Sequence, residues 1–260
     1  MKALAFTSLM MTIILVISVI ISMSLRHNIG NLFNISNDKY LVKKQYDRIV
    51  DDKVVIICST GRSGSTTMLR LINTIPNTNI CGENDNMIIS ILETYRKLKS
   101  TNSFKLDRDI GQLKPAWYNS FSYRKIKYLI KEIIIEMFKN KETTHLWGFK
   151  EIRIVEPHTL ALLNDFKELF PQLKVIIHIK QDTATQSQSS WWADRTDSIN
   201  ILNAANSALY QFYEICDYCF LSTFENMKNK TNIKNIFEFI DARRYYDDTK
   251  ISHVLRDNLG

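Results

Sequence analysis

Nine consecutive residues, Ser59-Thr-Gly-Arg-Ser-Gly-Ser-Thr-Thr67, put two glycines, one arginine and six hydroxyl side chains into a single stretch. A guanidinium fork and hydroxyls both suit an oxyanion, and Gly61 and Gly64 permit a wrap tight enough to aim several backbone amides at one point. The stretch follows a β-branched run, Val54-Val-Ile-Ile-Cys58, and leads into a helical pattern marked by Met68, Leu69, Leu71 and Ile72. A buried strand that turns through glycine into a helix directs free N–H groups and the positive end of the helix dipole at an anion. Ordinary helix capping accounts for one Ser or Thr, but not for the whole set. No Gly-Lys-Ser/Thr closes the loop, so the hydroxyl that holds magnesium in a Walker loop is missing. The expected ligand is therefore a phosphate that needs no such metal, and no metal site is expected. Glycine usage supports this emphasis: the chain has only 7, and Gly61, Gly64 and Gly82 fall within 22 residues of one another.

Gly-Arg-Ser-Gly-Ser-Thr-Thr resembles the 5′-phosphosulfate loop of the sulfotransferases, in which Lys or Arg precedes Ser-Gly-Thr-Thr or a close variant. The continuation, Leu69-Arg-Leu-Ile-Asn-Thr-Ile-Pro76 and then Cys81-Gly-Glu-Asn84, resembles the stretch that follows this loop in membrane-bound carbohydrate and protein-tyrosine sulfotransferases. The similarity extends more weakly over most of residues 53–240. It implies a P-loop-containing nucleoside triphosphate hydrolase-like α/β fold and the cofactor 3′-phosphoadenosine-5′-phosphosulfate (PAPS), with Gly61, Arg62, Ser63, Gly64, Ser65, Thr66 and Thr67 holding its 5′ end. A second family segment, a strand ending in Arg with a Ser about eight residues later, binds the 3′-phosphate. Here Val175-Ile-Ile-His-Ile-Lys-Gln-Asp-Thr-Ala-Thr-Gln-Ser-Gln-Ser-Ser-Trp-Trp192 places Ser189 as that serine and Gln181 where the Arg belongs, with Lys180 beside it. Gln lacks the charge-assisted contact, so either Lys180 takes over or affinity falls. From the residues alone, Ser189 and the two tryptophans read equally well as a helix packing two aromatics.

Between these segments lies Leu146-Trp-Gly-Phe-Lys-Glu-Ile-Arg153. A lysine leaving a short strand reaches across the top of a parallel sheet, where doubly wound folds bind ligands. The resemblance puts Lys150 near the transferring sulfonate; a solvated surface charge is the plain alternative. Sulfonyl transfer to a hydroxyl needs an in-line acceptor, charge stabilisation and a base. Arg62 and Lys150 supply charge, and Glu83, after Gly82, is the expected base. In tyrosine sulfotransferases the base is the second of two acidic residues, and that slot here is Asn84, which leaves Asp85 as the fallback. A helix N-terminal carboxylate is the plain reading of Glu83. The expected activity is transfer of a sulfonate from PAPS to a glycan or tyrosine hydroxyl. The alternatives are a membrane-anchored nucleotide-binding or structural protein of weak or no catalysis and, less favoured, a P-loop kinase.

These residues must be positioned by alternating strands and helices. Strands are expected at 54–58, 145–149, 174–179 and 219–223, with a strand-like stretch at 79–81. Helices are expected at 68–76, 87–98, 123–138, 156–170, 198–216, 232–240 and 249–255, plus a polar helix that runs from the strand end to Trp191-Trp192. That alternation predicts a parallel sheet flanked by helices. The chain has 260 residues, 45% hydrophobic and 23% charged, which excludes disorder and collagen-like repeats. Its net charge of +7 favours anionic partners; the expected ones are PAPS and the acceptor, with no nucleic acid. Four cysteines are too few for a disulfide scaffold, and Cys216 and Cys219 read as two core thiols rather than a redox pair.

Residues 4–25 carry no charge and as a helix would span about 33 Å, the thickness of a bilayer core. They predict an uncleaved signal anchor over residues 1–25, a stem over 26–50 and a catalytic domain over 51–260. The alternative is a cleaved signal ending near Ser22-Met23-Ser24. Positive charge after the helix (Arg26, Lys39, Lys43, Lys44) favours a cytosolic domain. The sequons Asn34-Ile-Ser36 and Asn229-Lys-Thr231 favour a type II protein facing the Golgi lumen.

Overall fold

The computed structural model describes residues 53–103 and 122–259 of the chain. The expected anchor and stem lie outside the described residues. Among those described, no helix is long and apolar enough to cross a membrane.

The chain divides into two compact units. The smaller contains α2 (Met87–Ser103) and α3 (Tyr123–Phe138), joined by a hydroxyl–hydroxyl hydrogen bond of 2.5 Å between Tyr95 and Tyr123, whose rings also stack.

The larger unit holds a five-stranded, all-parallel sheet: β1 (Lys53–Ser59), β2 (Thr78–Cys81), β3 (Leu146–Glu151), β4 (Leu173–Ile179) and β5 (Cys219–Thr223) in the order β2-β3-β1-β4-β5. The central strand pairs Ile57 with Lys150 on one side and with Ile176 on the other. Because both faces are covered, β1 and β4 read as unbroken β-branched runs instead of alternating patterns. On one face Val55, Ile57 and Ile176 pack with Met68 and Leu71 of α1 (Ser65–Ile72), with Ile233 and Phe237 of α8 (Lys230–Phe239), and with Ile251 of α9 (Asp248–Leu259). Trp147 and Phe149 of β3 meet Phe170 and Phe166 respectively in edge-to-face contacts. Strand order reverses at β1: the next two strands lie to one side of it and the last two to the other. The cleft beyond the carboxyl ends of the strands at such a reversal is where open α/β sheets bind ligands.

Two expected helices differ from the sequence reading. The helix over 156–170 is broken into α4 (Pro157–Leu160) and α5 (Leu162–Leu169), with Glu156 and Thr159 forming a reciprocal cap at its start. The polar helix after β4 stops early. It forms only α6 (Thr183–Ser187), capped by Asp182, and Ser190–Trp192 make a separate 3-10 turn. Ser189 is extended and Ser190 has a left-handed φ of 55°, so the chain bends there rather than continuing as helix. A long α7 (Ser198–Ile215) then leads to β5. Cys216 and Cys219, expected as free thiols, form a disulfide across that last junction, their Cα atoms 5.4 Å apart. Both are half-buried, Cys216 closing α7 and Cys219 opening β5, and their spacing lets one tight turn bring the sulfurs together.

Candidate anion-transfer site

The loop after β1 is left-handed at Arg62 (φ 65°) and at Gly64 (φ 84°). Gly64 is also the N-cap of α1, with no side chain capping the helix. Inside the helix the amides of Thr67 and Met68 both bond the Gly64 carbonyl, whereas the amides of Arg62 through Thr66 have no partner within the described residues. These donors sit at the positive end of α1, which is the geometry of an anion cradle. The glycines are needed there for different reasons. A Cβ at Gly64 would stand 2.5 Å from Phe224 Cδ2 on a backbone that L side chains avoid, while one at Gly61 would overlap the Trp191 ring.

Not all the hydroxyls foreseen as ligands face outward. Arg62 and Thr66 are exposed, but Ser63, Ser65 and Thr67 are buried. The Ser63 hydroxyl has no hydrogen-bond partner among the described residues.

The break after α6 brings Ser189 to the loop: Arg62 Nε donates to Ser189 Oγ at 3.1 Å. Thus the residue expected at the 5′ end of the ligand and the serine expected at its 3′-phosphate are neighbours. Trp192 Nε1 donates to the Gly61 carbonyl at 3.0 Å, and the two indoles stack at 5.1 Å. Trp191 stays 40% exposed beside the loop. Lys180 and Gln181 take separate places. The Lys180 ammonium lies 5.0 Å over the Phe224 ring, which in turn borders Gly64, so this cation flanks the start of α1. Gln181 lines a groove with Thr183, Asn203, Asn206, Tyr210 and Glu214, to which the loop contributes no residue.

On the other side of β1, Lys150 and Glu83 form an ion pair of 2.5 Å. Lys150 is buried and Glu83 is about one-third exposed, so the pair opens to solvent only on its carboxylate side. Glu83 precedes α2 by several residues and is held by Lys150, not by a helix dipole. Asp85, the fallback base, is almost fully exposed and pairs with Arg153 at 3.2 Å.

Three residues the sequence reading passed over hold this arrangement. Glu151, fully buried, accepts from the amides of Ile152 (2.9 Å) and Arg153 (3.2 Å) with one oxygen and from Asn84 N (3.2 Å) with the other, tying the segment carrying Glu83 to the end of β3. Gln186 donates to Thr60 Oγ1 at 2.9 Å and to the Gly61 carbonyl at 2.7 Å. His178 is completely buried between Ser222 Oγ (3.2 Å) and the Ser63 carbonyl (3.0 Å). Burial pushes its pKa down to about 4, only partly offset by the Ser63 contact, which keeps the ring neutral. Only a polar residue inside an apolar strand run marks His178 in the sequence; nothing local marks Gln186 or Glu151.

No protein-family model and no curated protein matches the sequence. Two similar solved structures come from bacteria, one from Alicyclobacillus acidocaldarius and one from Mycobacterium tuberculosis H37Rv. Both are sulfotransferases. The first is 9% identical and covers 79% of this chain and 90% of its own, with a TM-score of 0.39. The second is 10% identical and covers 82% of this chain and 74% of its own, with a TM-score of 0.38. At such values the likeness is one of outline, and the functional reading rests on the loop and the two side-chain pairs.

Proposed function

We propose that this chain is a sulfotransferase that moves a sulfonate group from PAPS to a hydroxyl acceptor, a glycan or a tyrosine. The observation that carries the reading is the uncapped α1 N-terminus, whose amides from Arg62 to Thr66 have no partner among the described residues, flanked by the Arg62–Ser189 and Lys150–Glu83 pairs. The residues present fit a phosphosulfate: free amides, one exposed guanidinium, a hydroxyl bonded to it and a shielded ammonium are all suited to oxyanions. When bound, PAPS would supply an activated sulfonate whose sulfur–oxygen bond to phosphate breaks as a bond to the acceptor oxygen forms.

Arg62, Ser63, Gly64, Ser65 and Thr66 would form the cradle, chiefly through their amides, while the Thr67 amide turns back to the Gly64 carbonyl and holds the start of α1. Lys180 and Ser189 would hold the 3′-phosphate from either flank, with Gln181 set apart in its groove. Lys150 stabilises charge at the transferred group and its leaving oxygen. Glu83 takes the acceptor proton, and its exposed side is where an acceptor hydroxyl can approach. Membrane anchoring through residues 1–25 and a lumen-facing, type II arrangement belong to the same proposal. The Cys216–Cys219 disulfide supports the latter, because such bonds persist in oxidising compartments. The test is a transfer assay with sulfate-labelled PAPS against saccharide and tyrosyl-peptide acceptors. Label in one acceptor class, lost in Glu83→Gln, is the expected result. PAPS binding without transfer to any acceptor would favour a nucleotide-binding protein, and phosphate transfer from ATP a kinase.

A further inference from the structure

The loop's amides serve an anion only if their peptide planes are turned the right way. In a trans peptide the C=O and the following N–H point in opposite directions, so fixing one fixes the other. Two carbonyls of this loop are held from beneath by buried side chains. The Ser63 carbonyl faces His178 Nε2 at 3.0 Å, and the Gly61 carbonyl receives Gln186 Nε2 at 2.7 Å together with Trp192 Nε1 at 3.0 Å.

We infer that His178 and Gln186 are positioning residues of the anion loop: by drawing the Ser63 and Gly61 carbonyls inward, they turn the Gly64 and Arg62 amides outward toward the ligand. Chemistry fixes the proton on His178. A carbonyl can only accept, so Nε2 carries the hydrogen; the neutral ring then offers Nδ1 as acceptor to the Ser222 hydroxyl, 3.2 Å away. Ser222 lies opposite His178 in the β4–β5 register, so β5 selects the tautomer and β4 delivers it. Both His178 and Gln186 are wholly buried, so the loop has no solvent to substitute for these donors. Arg62 is held at a positive φ that non-glycine residues avoid, as such pinning demands, while Gly64 reaches its own without steric cost.

The inference rests on the anion-binding reading of this site and identifies what pre-organises it. Its test compares the parent with His178→Phe, which fills similar space without a donor, and with His178→Gln, whose amide keeps a donor near the Nε2 position. The probe is 3′-phosphoadenosine 5′-phosphate, measured by titration calorimetry beside a melting curve. The Phe variant should bind on the order of 10- to 100-fold more weakly, the loss expected when one amide donor to a charged ligand is turned away. The Gln variant should recover most of it at similar melting temperature. A folded Phe variant that binds within about twofold of the parent overturns the inference. Should that variant not fold, ¹⁵N NMR of the parent imidazole decides: the Nε2–H tautomer is expected, and an Nδ1–H tautomer overturns it. Should the parent ignore the nucleotide, the proposed function fails separately. The Gly64 amide is then followed with inorganic phosphate, and a shift in the parent that survives unchanged in the Phe variant overturns the positioning role.

Discussion

Replacing Glu83 by Gln separates charge from shape at the Lys150–Glu83 pair, and the geometry sets the size of the effect. Removing one partner of a fully buried ion pair costs about 3–5 kcal/mol, and an exposed pair is worth only about 0–1 kcal/mol. Lys150 is 8% exposed and Glu83 34%, which places this pair between those limits. The Gln amide still offers an oxygen to the ammonium, so the loss is the charge assistance, about 1–2 kcal/mol. In a unit of this size that lowers the melting temperature by about 3–6 °C. Lys150→Met costs less, because water reaches the carboxylate it strands, and the double variant should show a coupling of about 1 kcal/mol between the two sites. Turnover should fall much further than stability, by about 10²–10⁴-fold in Glu83→Gln, the usual contribution of a general base. The assay is a double-mutant cycle by thermal melting, run beside sulfate transfer from labelled PAPS. Strictly additive melting effects would refute the pair. Unchanged turnover with a lowered melting temperature would refute Glu83 as base and move attention to Asp85→Asn.

Gly64→Ala forces a side chain onto a φ of 84° and into the Phe224 ring, and should cost about 1–3 kcal/mol of stability; a melting curve matching the parent would contradict the loop geometry. Ser189→Ala should weaken binding of 3′-phosphoadenosine 5′-phosphate by about 1–3 kcal/mol but leave adenosine 5′-phosphosulfate, which lacks the 3′-phosphate, unaffected. His178 has a folded pKa of about 4 against 6.5 in the open chain, so between those values the unfolded state binds the extra proton. Its stabilising contribution is complete above pH 6.5 and is lost as pH falls toward 4, by about 3 kcal/mol in all. Acid melting curves of the parent should therefore slope more steeply than those of His178→Gln, and equal slopes would contradict this. Reducing the Cys216–Cys219 disulfide reopens a very short loop and should cost about 2 kcal/mol, seen as a lower melting temperature in reductant.

The parallel sheet was legible because its strands are buried on both faces: Val54–Cys58 and Lys174–Ile179 carry the signal within themselves. The loop was legible for a similar reason, since glycine, arginine and hydroxyls in that order constrain the backbone locally. The bend at Ser189 was not, because Ser and Gln are neutral between helix and turn, and what decides there is the fit of Trp191 and Trp192 against Gly61. Likewise, nothing near Lys150 in sequence announces Glu83, 67 residues away, as its partner; only the pairing of β3 between β1 and β2 brings their ends together. His178 looked like one more strand residue until β5 supplied Ser222. The disulfide was misread because two cysteines three apart suit a helix as well as a turn, and the end of α7 at Ile215 settles which.

The central claim is that the loop from Ser59 to Thr67 binds a phosphosulfate nucleotide without a Walker lysine. Titration calorimetry of the parent and of Arg62→Ala with 3′-phosphoadenosine 5′-phosphate, and in parallel with magnesium-ATP, tests it most directly. Saturable one-to-one binding of the first nucleotide in the absence of magnesium, little binding of the second, and loss of binding in a folded Arg62→Ala are the expected results. Tighter binding of magnesium-ATP, or an Arg62→Ala variant that binds 3′-phosphoadenosine 5′-phosphate as well as the parent, would contradict it.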